Sequence, residues 1–170
     1  MTLNVVILCP AYNEEKDIQA SLESLINQTY PVTIVVLANG CTDRTAQVAR
    51  LTSVNLPNVF VEDYPKLEHK KAEAMNLGWS KYAKDADLVI TVDADTLLSP
   101  TAVAEWVEEF QSTPILAGSC ARFTMLGNSL ITRLQRMDFS NGIDISLRRG
   151  WTSVLAGAAS CFRGDVLQKL

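Results

Sequence analysis

The stretch LVITVDADTLLSP, Leu88–Pro100, decides how the rest of the chain is read. A run of five largely apolar residues, Leu88 to Val92, enters two carboxylates, Asp93 and Asp95, spaced i, i+2. The run fits a buried strand, rich in β-branched residues and closed by a turn. Two like charges this close repel each other and resist burial. Either they sit in water at an open strand end, or a cation with a polyanionic ligand compensates them. In an extended segment both point to similar sides. Such oxygens suit Mg²⁺ or Mn²⁺, which keep waters and bind through one or two carboxylates plus substrate phosphates. The spacing is a weak signal by itself. It gains weight from what stands at the other strand ends.

Val- and Ile-rich segments alternate with stretches of helical period. Strands are expected at Leu3 to Cys9, Val32 to Ala38, Val59 to Glu62 and Leu88 to Val92, and a further one over ILAGSCARF. Between them, Ile18, Leu22, Leu25 and Ile26 mark one face of a helix with Asn13 as its cap. Helices are also expected from Asp43 and Thr45 to about Leu51, from Lys70 to Ala83 with Ala72, Met75, Trp79 and Tyr82 inward, and over Thr101 to Phe110. A further helix is expected over Leu126 to Met137, with Leu130 and Leu134 inward, and WTSVLAGAASCFRGDVLQKL reads as a strand or loop entering a short helix. This alternation predicts an α/β fold with a mostly parallel, Rossmann-like central sheet flanked by helices. Ligands in such folds bind at the carboxyl ends of the strands. No repeat or linker divides residues 1–170, so they are read as one domain.

Bulk properties narrow the function classes. The chain has 170 residues, 48% hydrophobic and 20% charged, with a formal net charge of -4, the profile of an ordinary globular protein. That balance argues against a nucleic-acid partner, which calls for a basic patch, yet local lysines still serve a phosphate-bearing small molecule. The cysteines Cys9, Cys41, Cys120 and Cys161 form no CxxC pair, and His69 is the one histidine. A structural zinc site is therefore not expected, and free thiols in a reducing compartment are. MTLNVVILCP lacks the basic start of a signal peptide, and no apolar run approaches the roughly 18 residues of a membrane span. The expected location is cytoplasmic, with a peripheral membrane contact of the full-length protein left open.

Three more segments fall at the carboxyl edge with Asp93 and Asp95. In CPAYNEE, Pro10 stops the strand, Tyr12 offers a ring and a hydroxyl, and Glu14 stands near the next helix start. The ring suits a nucleobase, and the acids equally suit a helix first turn. In ANGCTDRT, Asn39-Gly40 is a turn signal and Asp43 either caps the next helix or meets a ligand. In EHKKAEAMNLG, Lys70 and Lys71 oppose the helix dipole unless an anion arrives there. His69 beside them reads as a surface residue. A phosphatase of the haloacid-dehalogenase type uses DxDx[T/V] early in its chain. Here the fifth residue is Leu97, the threonine falls early at Thr96, and the strand begins only at Leu88.

The ordered set resembles the catalytic domain of the family 2 glycosyltransferases, of the GT-A fold. Pro10, Ala11, Tyr12, Asn13 and Glu14 match the family's P-[AYF]-[YFH]-N-E segment, and Ala38 to Thr45 its DDGSTDxT-like turn. Lys71, Ala74, Met75, Asn76 and Gly78 match G-K-xx-ALN-x-G. Asp93, Asp95 and Pro100 match the DxD run with its following proline, and Gly157 to Arg163 the glycine-rich strand leading to an arginine. The resemblance covers essentially the whole chain. It implies transfer of a sugar from a nucleotide diphosphate donor to an acceptor hydroxyl, with inversion and with Mn²⁺ or Mg²⁺. It also implies that Ala11, Tyr12 and Glu14 line the nucleobase and ribose pocket and that Lys71 lies on the nucleotide side. Asp93 would contact ribose or metal, Asp95 would hold the ion, and Pro10, Asn39, Asp43 and Ala94 would complete the donor site.

Two departures qualify that match. The family often has an acidic residue where this chain has Ala38 and Asn39, so the donor base is unassigned. The family's catalytic base lies in an acidic pair after the arginine-bearing strand, and this sequence ends at Leu170, with Asp165 short of that position. The expectation is a fragment carrying the nucleotide-sugar-binding portion of a longer domain. Asp138 and Asp144 read as surface acids, and Arg148 and Arg149 as a solvated pair or an anion contact. A binding domain that has lost transfer is the non-enzyme alternative. A sugar-nucleotide nucleotidyltransferase is a weaker one, since it calls for a glycine-rich phosphate loop where this chain has CPAYNEE. The residues specify neither the acceptor, beyond a hydroxyl, nor the oligomeric state.

Overall fold

The computed structural model describes residues 2–121, 125, 129, 132 and 157–169. Its strands are β1 (Val5–Ala11), β2 (Thr33–Asn39), β3 (Val59–Tyr64), β4 (Leu88–Val92), β5 (Gly118–Cys120) and β6 (Ala159–Arg163). They form one sheet in the order β3-β2-β1-β4-β6-β5. The pairs β1/β2, β1/β4 and β2/β3 are parallel, and β6 runs antiparallel to both β4 and β5. The expected mostly parallel sheet is therefore present, with one reversed strand.

Helices α1 (Ile18–Ile26), α2 (Thr45–Thr52), α3 (Lys70–Gly78), α4 (Ala102–Ser112) and the short α5 (Gly164–Leu167) flank it. Alternate residues of the central strands feed two cores, because successive side chains point to opposite faces. Val5, Ile7 and Cys9 of β1 join Ile34, Val36, Leu88 and Ile90 under Ile18, Leu22 and Leu25 of α1 and Val103, Trp106 and Phe110 of α4. Val6 and Leu8 join Val35, Leu37 and Val89 beneath Ala74 of α3 and Ala83. Burial on both faces explains why these strands read as continuous apolar runs. Among the described residues, no helix is long and apolar enough to cross a membrane.

Four expectations change. The helix after β1 begins at Ile18, and Asn13, with φ +56°, is not its cap. The segment Lys70 to Ala83 is α-helical only to Gly78 and then widens into a π-helical turn, Trp79–Ala83. Within it Ala72 is exposed, and the fully buried positions are Ala74, Gly78 and Ala83. A Cβ on Gly78 would lie 2.8 Å from both methyl carbons of Leu37, so the side-chain-free position is what lets α3 seat against β2. β5 is short, and the helix expected over Leu126 to Met137 falls almost wholly outside the described residues, as do Asp138, Asp144, Arg148 and Arg149.

The loops after β1 and β2 are knotted together. Asn13 Oδ1 accepts the Thr42 N–H at 2.8 Å, and Glu15 Oε2 accepts the Arg44 N–H at 3.1 Å. Returning the favour, Asp43 Oδ2 accepts the Glu15 N–H at 3.1 Å and the buried Thr45 Oγ1 accepts the Glu14 N–H at 2.8 Å. Asp43 Oδ1 also takes the Thr45 N–H at 3.0 Å and its hydroxyl at 2.5 Å. At the other end of the sheet, Arg163 closes the carboxyl end of α4. Its guanidinium donates to the carbonyls of Phe110 at 2.9 Å, Leu116 at 3.0 Å and Thr113 at 3.3 Å, over the Phe110 ring. Cation and helix terminus are matched in sign.

Two outcomes follow from these contacts. Partial burial pushes the Asp43 carboxyl up, but hydrogen bonds from Thr45 and Glu15 outweigh it and leave it below its ordinary value. A folded value below the unfolded one stabilises the fold above the ordinary aspartate range and loses that contribution as pH falls through the folded value. Asp43→Asn should lower stability at neutral pH, and urea denaturation should show the gap from wild type narrowing as pH falls below the ordinary aspartate range. Arg163→Met should cost about 2 kcal/mol in the same measurement, and Arg163→Lys should recover only part of it, lacking the planar fork.

Candidate donor site

Because β1 and β4 are parallel neighbours, their carboxyl ends reach the same edge of the sheet. A cavity of about 490 Å³ opens there. Its lining includes Pro10, Ala11, Tyr12 and Glu14 from β1 and its loop, Asn39 from β2, Lys71 from α3, and Asp93, Ala94 and Asp95 after β4. Nine of the ten residues expected in the site thus meet in one cavity. Asp43 does not line it; its carboxylate is spent on the backbone of the two loops.

Asp93 and Asp95 are not on an extended segment, as their spacing suggested. β4 ends at Val92, and Asp93 to Thr96 form a turn closed by the Thr96 N–H on the Asp93 carbonyl at 3.0 Å. The half-buried Asp93 is paired with Lys71, whose Nζ lies 2.5 Å from Oδ1. Asp95 is exposed and has no protein ion pair among the described residues. Glu14 feels the local acidity: burial, then Asp95, Asp17, Asp43 and Asp93, hold its carboxyl above the usual range. Beneath them Cys9 is fully buried, and burial followed by the charge of Asp93 pushes its thiol up to about 12. Such a thiol is a core side chain and not a nucleophile. The four cysteines are free, Cys41 and Cys120 being half-buried.

The donor set can be tested against a divalent cation. Among the described residues, no group of three or more His, Cys, Asp or Glu could hold one alone. Mg²⁺ and Mn²⁺ typically take one or two carboxylates and complete their shell with phosphate oxygens and water. Asp95, with Asp93 beside it, fits a cation shared with a diphosphate and does not fit an ion held by protein alone.

The sequence missed Lys66 and Leu67 of the loop between β3 and α3, which line the cavity together with Lys70, already singled out as a possible anion contact. Asn39 holds this loop by accepting the Leu67 N–H on Oδ1 at 3.0 Å. The backbone approach is close: a Cβ on Gly40, at φ +64°, would stand 2.8 Å from Lys66 Cα. Asn39-Gly40 was legible as a turn, but nothing in its spacing says which distant lysine lies against it. Lys70 sits at φ +48°, where glycine is the relaxed choice. His69 is exposed and outside the cavity, its N–H bonded to Glu73 at 3.0 Å. A second, larger cavity of about 1020 Å³ also includes Asp93 and Asp95, together with Leu97, Leu98 and Trp106.

Comparison with known proteins agrees with this geometry. The model of Glycosyl transferase family 2 matches residues 6–170. A 4,4'-diaponeurosporenoate glycosyltransferase of Staphylococcus aureus is 35% identical over 109 residues, which is 64% of this chain and 28% of the relative. The matched part thus spans little more than a quarter of that relative's length. Among solved structures, the mannosyltransferase PcManGT from Pyrobaculum calidifontis, in complex with GDP-Man and Mn²⁺, aligns with a TM-score of 0.80 and 21% identity. That alignment covers 99% of this chain and 47% of that one. S. aureus TarS 1-349 in complex with UDP-GlcNAc aligns at 0.68 with 17% identity, over 98% and 47% of the two chains. These likenesses carry the GT-A fold, and with the match along almost the whole sequence they lead to one conclusion: the chain belongs to glycosyltransferase family 2.

Proposed function

We propose that the chain is the donor-binding part of an enzyme that transfers a sugar from a nucleoside diphosphate to an acceptor hydroxyl, with inversion and with Mn²⁺ or Mg²⁺. The observation that carries this reading is the gathering of Tyr12, Glu14, Asn39, Lys71, Asp93 and Asp95 around one cavity. Neighbours of the same fold solved with GDP-Man and Mn²⁺, with UDP-GlcNAc and with UDP support a nucleotide sugar as the ligand.

In this reading the 59% exposed Tyr12 offers its ring to the base. Asn39, with Oδ1 taken by Leu67, has its Nδ2 left to donate to a base or ribose oxygen, and Glu14 accepts from a hydroxyl. Lys66, Lys70 and Lys71 offset the charge of the phosphates. Asp95 takes the cation together with the diphosphate, while Asp93 stays with Lys71. A bound divalent ion stabilises the charge that develops on the departing diphosphate. The acceptor oxygen bonds to the sugar carbon from the opposite face as the bond to the diphosphate breaks, and the acceptor's proton passes to a base. None of the described residues is assigned to that base. The larger cavity shares Asp93 and Asp95, so an acceptor entering it would meet the reactive end of the donor.

Calorimetry on the folded chain should show UDP or GDP binding more tightly with Mn²⁺ than with EDTA. A folded sample that binds neither nucleotide under either condition contradicts the proposal. Two substitutions divide the site. Asp95→Asn should reduce affinity measured with Mn²⁺ by about tenfold or more and leave affinity in EDTA nearly unchanged. Tyr12→Ala should cost about 1–3 kcal/mol under both conditions, the worth of one stacked base.

A further inference from the structure

Helix α1 lines neither cavity, yet its polar side is bonded to the segment that follows Asp95. Ser21, fully buried, donates its hydroxyl to the Thr96 carbonyl at 2.8 Å. One turn on, Ser24 Oγ accepts the Leu98 N–H at 3.2 Å while donating to the Ser21 carbonyl at 2.7 Å. Just past the helix end, Gln28 spans the gap with both ends of its amide. Nε2 donates to the Ser99 carbonyl at 2.9 Å, and Oε1 accepts the Val103 N–H at 3.1 Å. The Thr29 N–H adds a bond to the Pro100 carbonyl at 2.9 Å.

Ser21 and Ser24, i and i+3, lie on one side of the helix, and Gln28 follows just past its end. Alanine would serve the helix better at both serines, since Ser inside a helix competes with its backbone. What the hydroxyls and the amide do is satisfy a loop. Residues 96–99 belong to no strand or helix; the Thr96 N–H and the Ser99 carbonyl have turn partners in Asp93 and Ala102, while the Thr96 carbonyl and the Leu98 N–H are met by the two serine hydroxyls. The other side of the Asp93–Thr96 turn is held by the sheet, through the Asp93 N–H on the Ala158 carbonyl at 2.9 Å. Asp95 itself makes no protein ion pair among the described residues, so its place is set by its backbone, pinned between β6 and α1.

We propose that Ser21, Ser24 and Gln28 are positioning residues for Asp95, which makes α1 the element that tunes cation-assisted diphosphate binding without touching the ligand. The proposal rests on the donor-site reading above. A misplacement of the Asp95 carboxylate loosens the cation shared with the diphosphate and leaves contacts of Tyr12, Glu14 and Asn39 intact.

The test is the ratio of UDP or GDP affinity in Mn²⁺ to that in EDTA. It is measured by calorimetry on wild type, a Ser21→Ala/Ser24→Ala double variant, Gln28→Leu, Ser24→Thr and Tyr30→Phe. The last is a control for general loosening, because Tyr30 OH bonds the Leu3 backbone, accepting its N–H at 2.7 Å, and not the loop after Asp95. The double variant and Gln28→Leu should lose about tenfold of the Mn²⁺ enhancement, with affinity in EDTA within about twofold of wild type. Ser24→Thr, which keeps the hydroxyl, and Tyr30→Phe should retain the enhancement. An unchanged enhancement in the serine and glutamine variants overturns the proposal. So does a parallel fall in EDTA, or an equal loss in Tyr30→Phe. A wild type that binds no nucleotide removes the donor-site reading and this proposal with it, a result distinct from a wild type that binds and variants that match it.

Discussion

The ion pair between Lys71 Nζ and Asp93 Oδ1, 2.5 Å apart, is the contact on which the site depends. Two carboxylates at the end of a buried strand repel each other, and burial together with the surrounding acids holds Glu14 above its usual range. Lys71 meets that repulsion from α3, across the cavity mouth, and so ties the helix start to the end of β4. The pair is worth little as a contribution to stability, because both side chains are more than a third exposed, at 57% and 35%. Its consequence is distribution of charge. Asp93 is answered by the protein, and Asp95 has no protein ion pair among the described residues.

Everything else brings these groups together. The parallel pairing of β2, β1 and β4 aligns three strand ends at one edge, and the two-sided core fixes their register, since a one-residue slip would exchange the faces. Asp43, Thr45, Asn13 and Glu15 lock the first two loops to each other. Asn39 and Gly40 draw the β3–α3 loop over the cavity. Ser21, Ser24 and Gln28 hold the third loop from behind. The sheet thus carries three connections, each tied down by side chains that belong to neighbouring segments.

Much of this was legible in the residues, and the limit is physical. The strands could be read because burial on both faces leaves unbroken runs of Val, Ile and Leu, as in VVILC and LVITV. The site residues could be read because they follow those runs directly. Long-range polar ties could not be. Asn13 looks like a helix cap in sequence and is not one, while Asp43 does accept the first N–H of α2; only the fold shows both also serving another loop, with partners 28 and 29 positions away. Lys66 carries no periodicity or motif, and enters the cavity through a backbone approach that Gly40 permits. The turn at Asp93–Thr96 was misread as extended because the strand pattern stops at Val92, one residue before the carboxylates.

The central claim is that Asp95 and a diphosphate share one cation in the cavity roofed by Lys66, Lys70 and Lys71. A crystal structure of the chain with UDP or GDP and Mn²⁺ tests it most directly, because anomalous scattering locates the ion independently of the nucleotide. The account predicts a Mn²⁺ peak in contact with an Asp95 oxygen and with the diphosphate, and the base against Tyr12. A nucleotide bound outside this cavity, or an ion that touches the diphosphate but not Asp95, would contradict it.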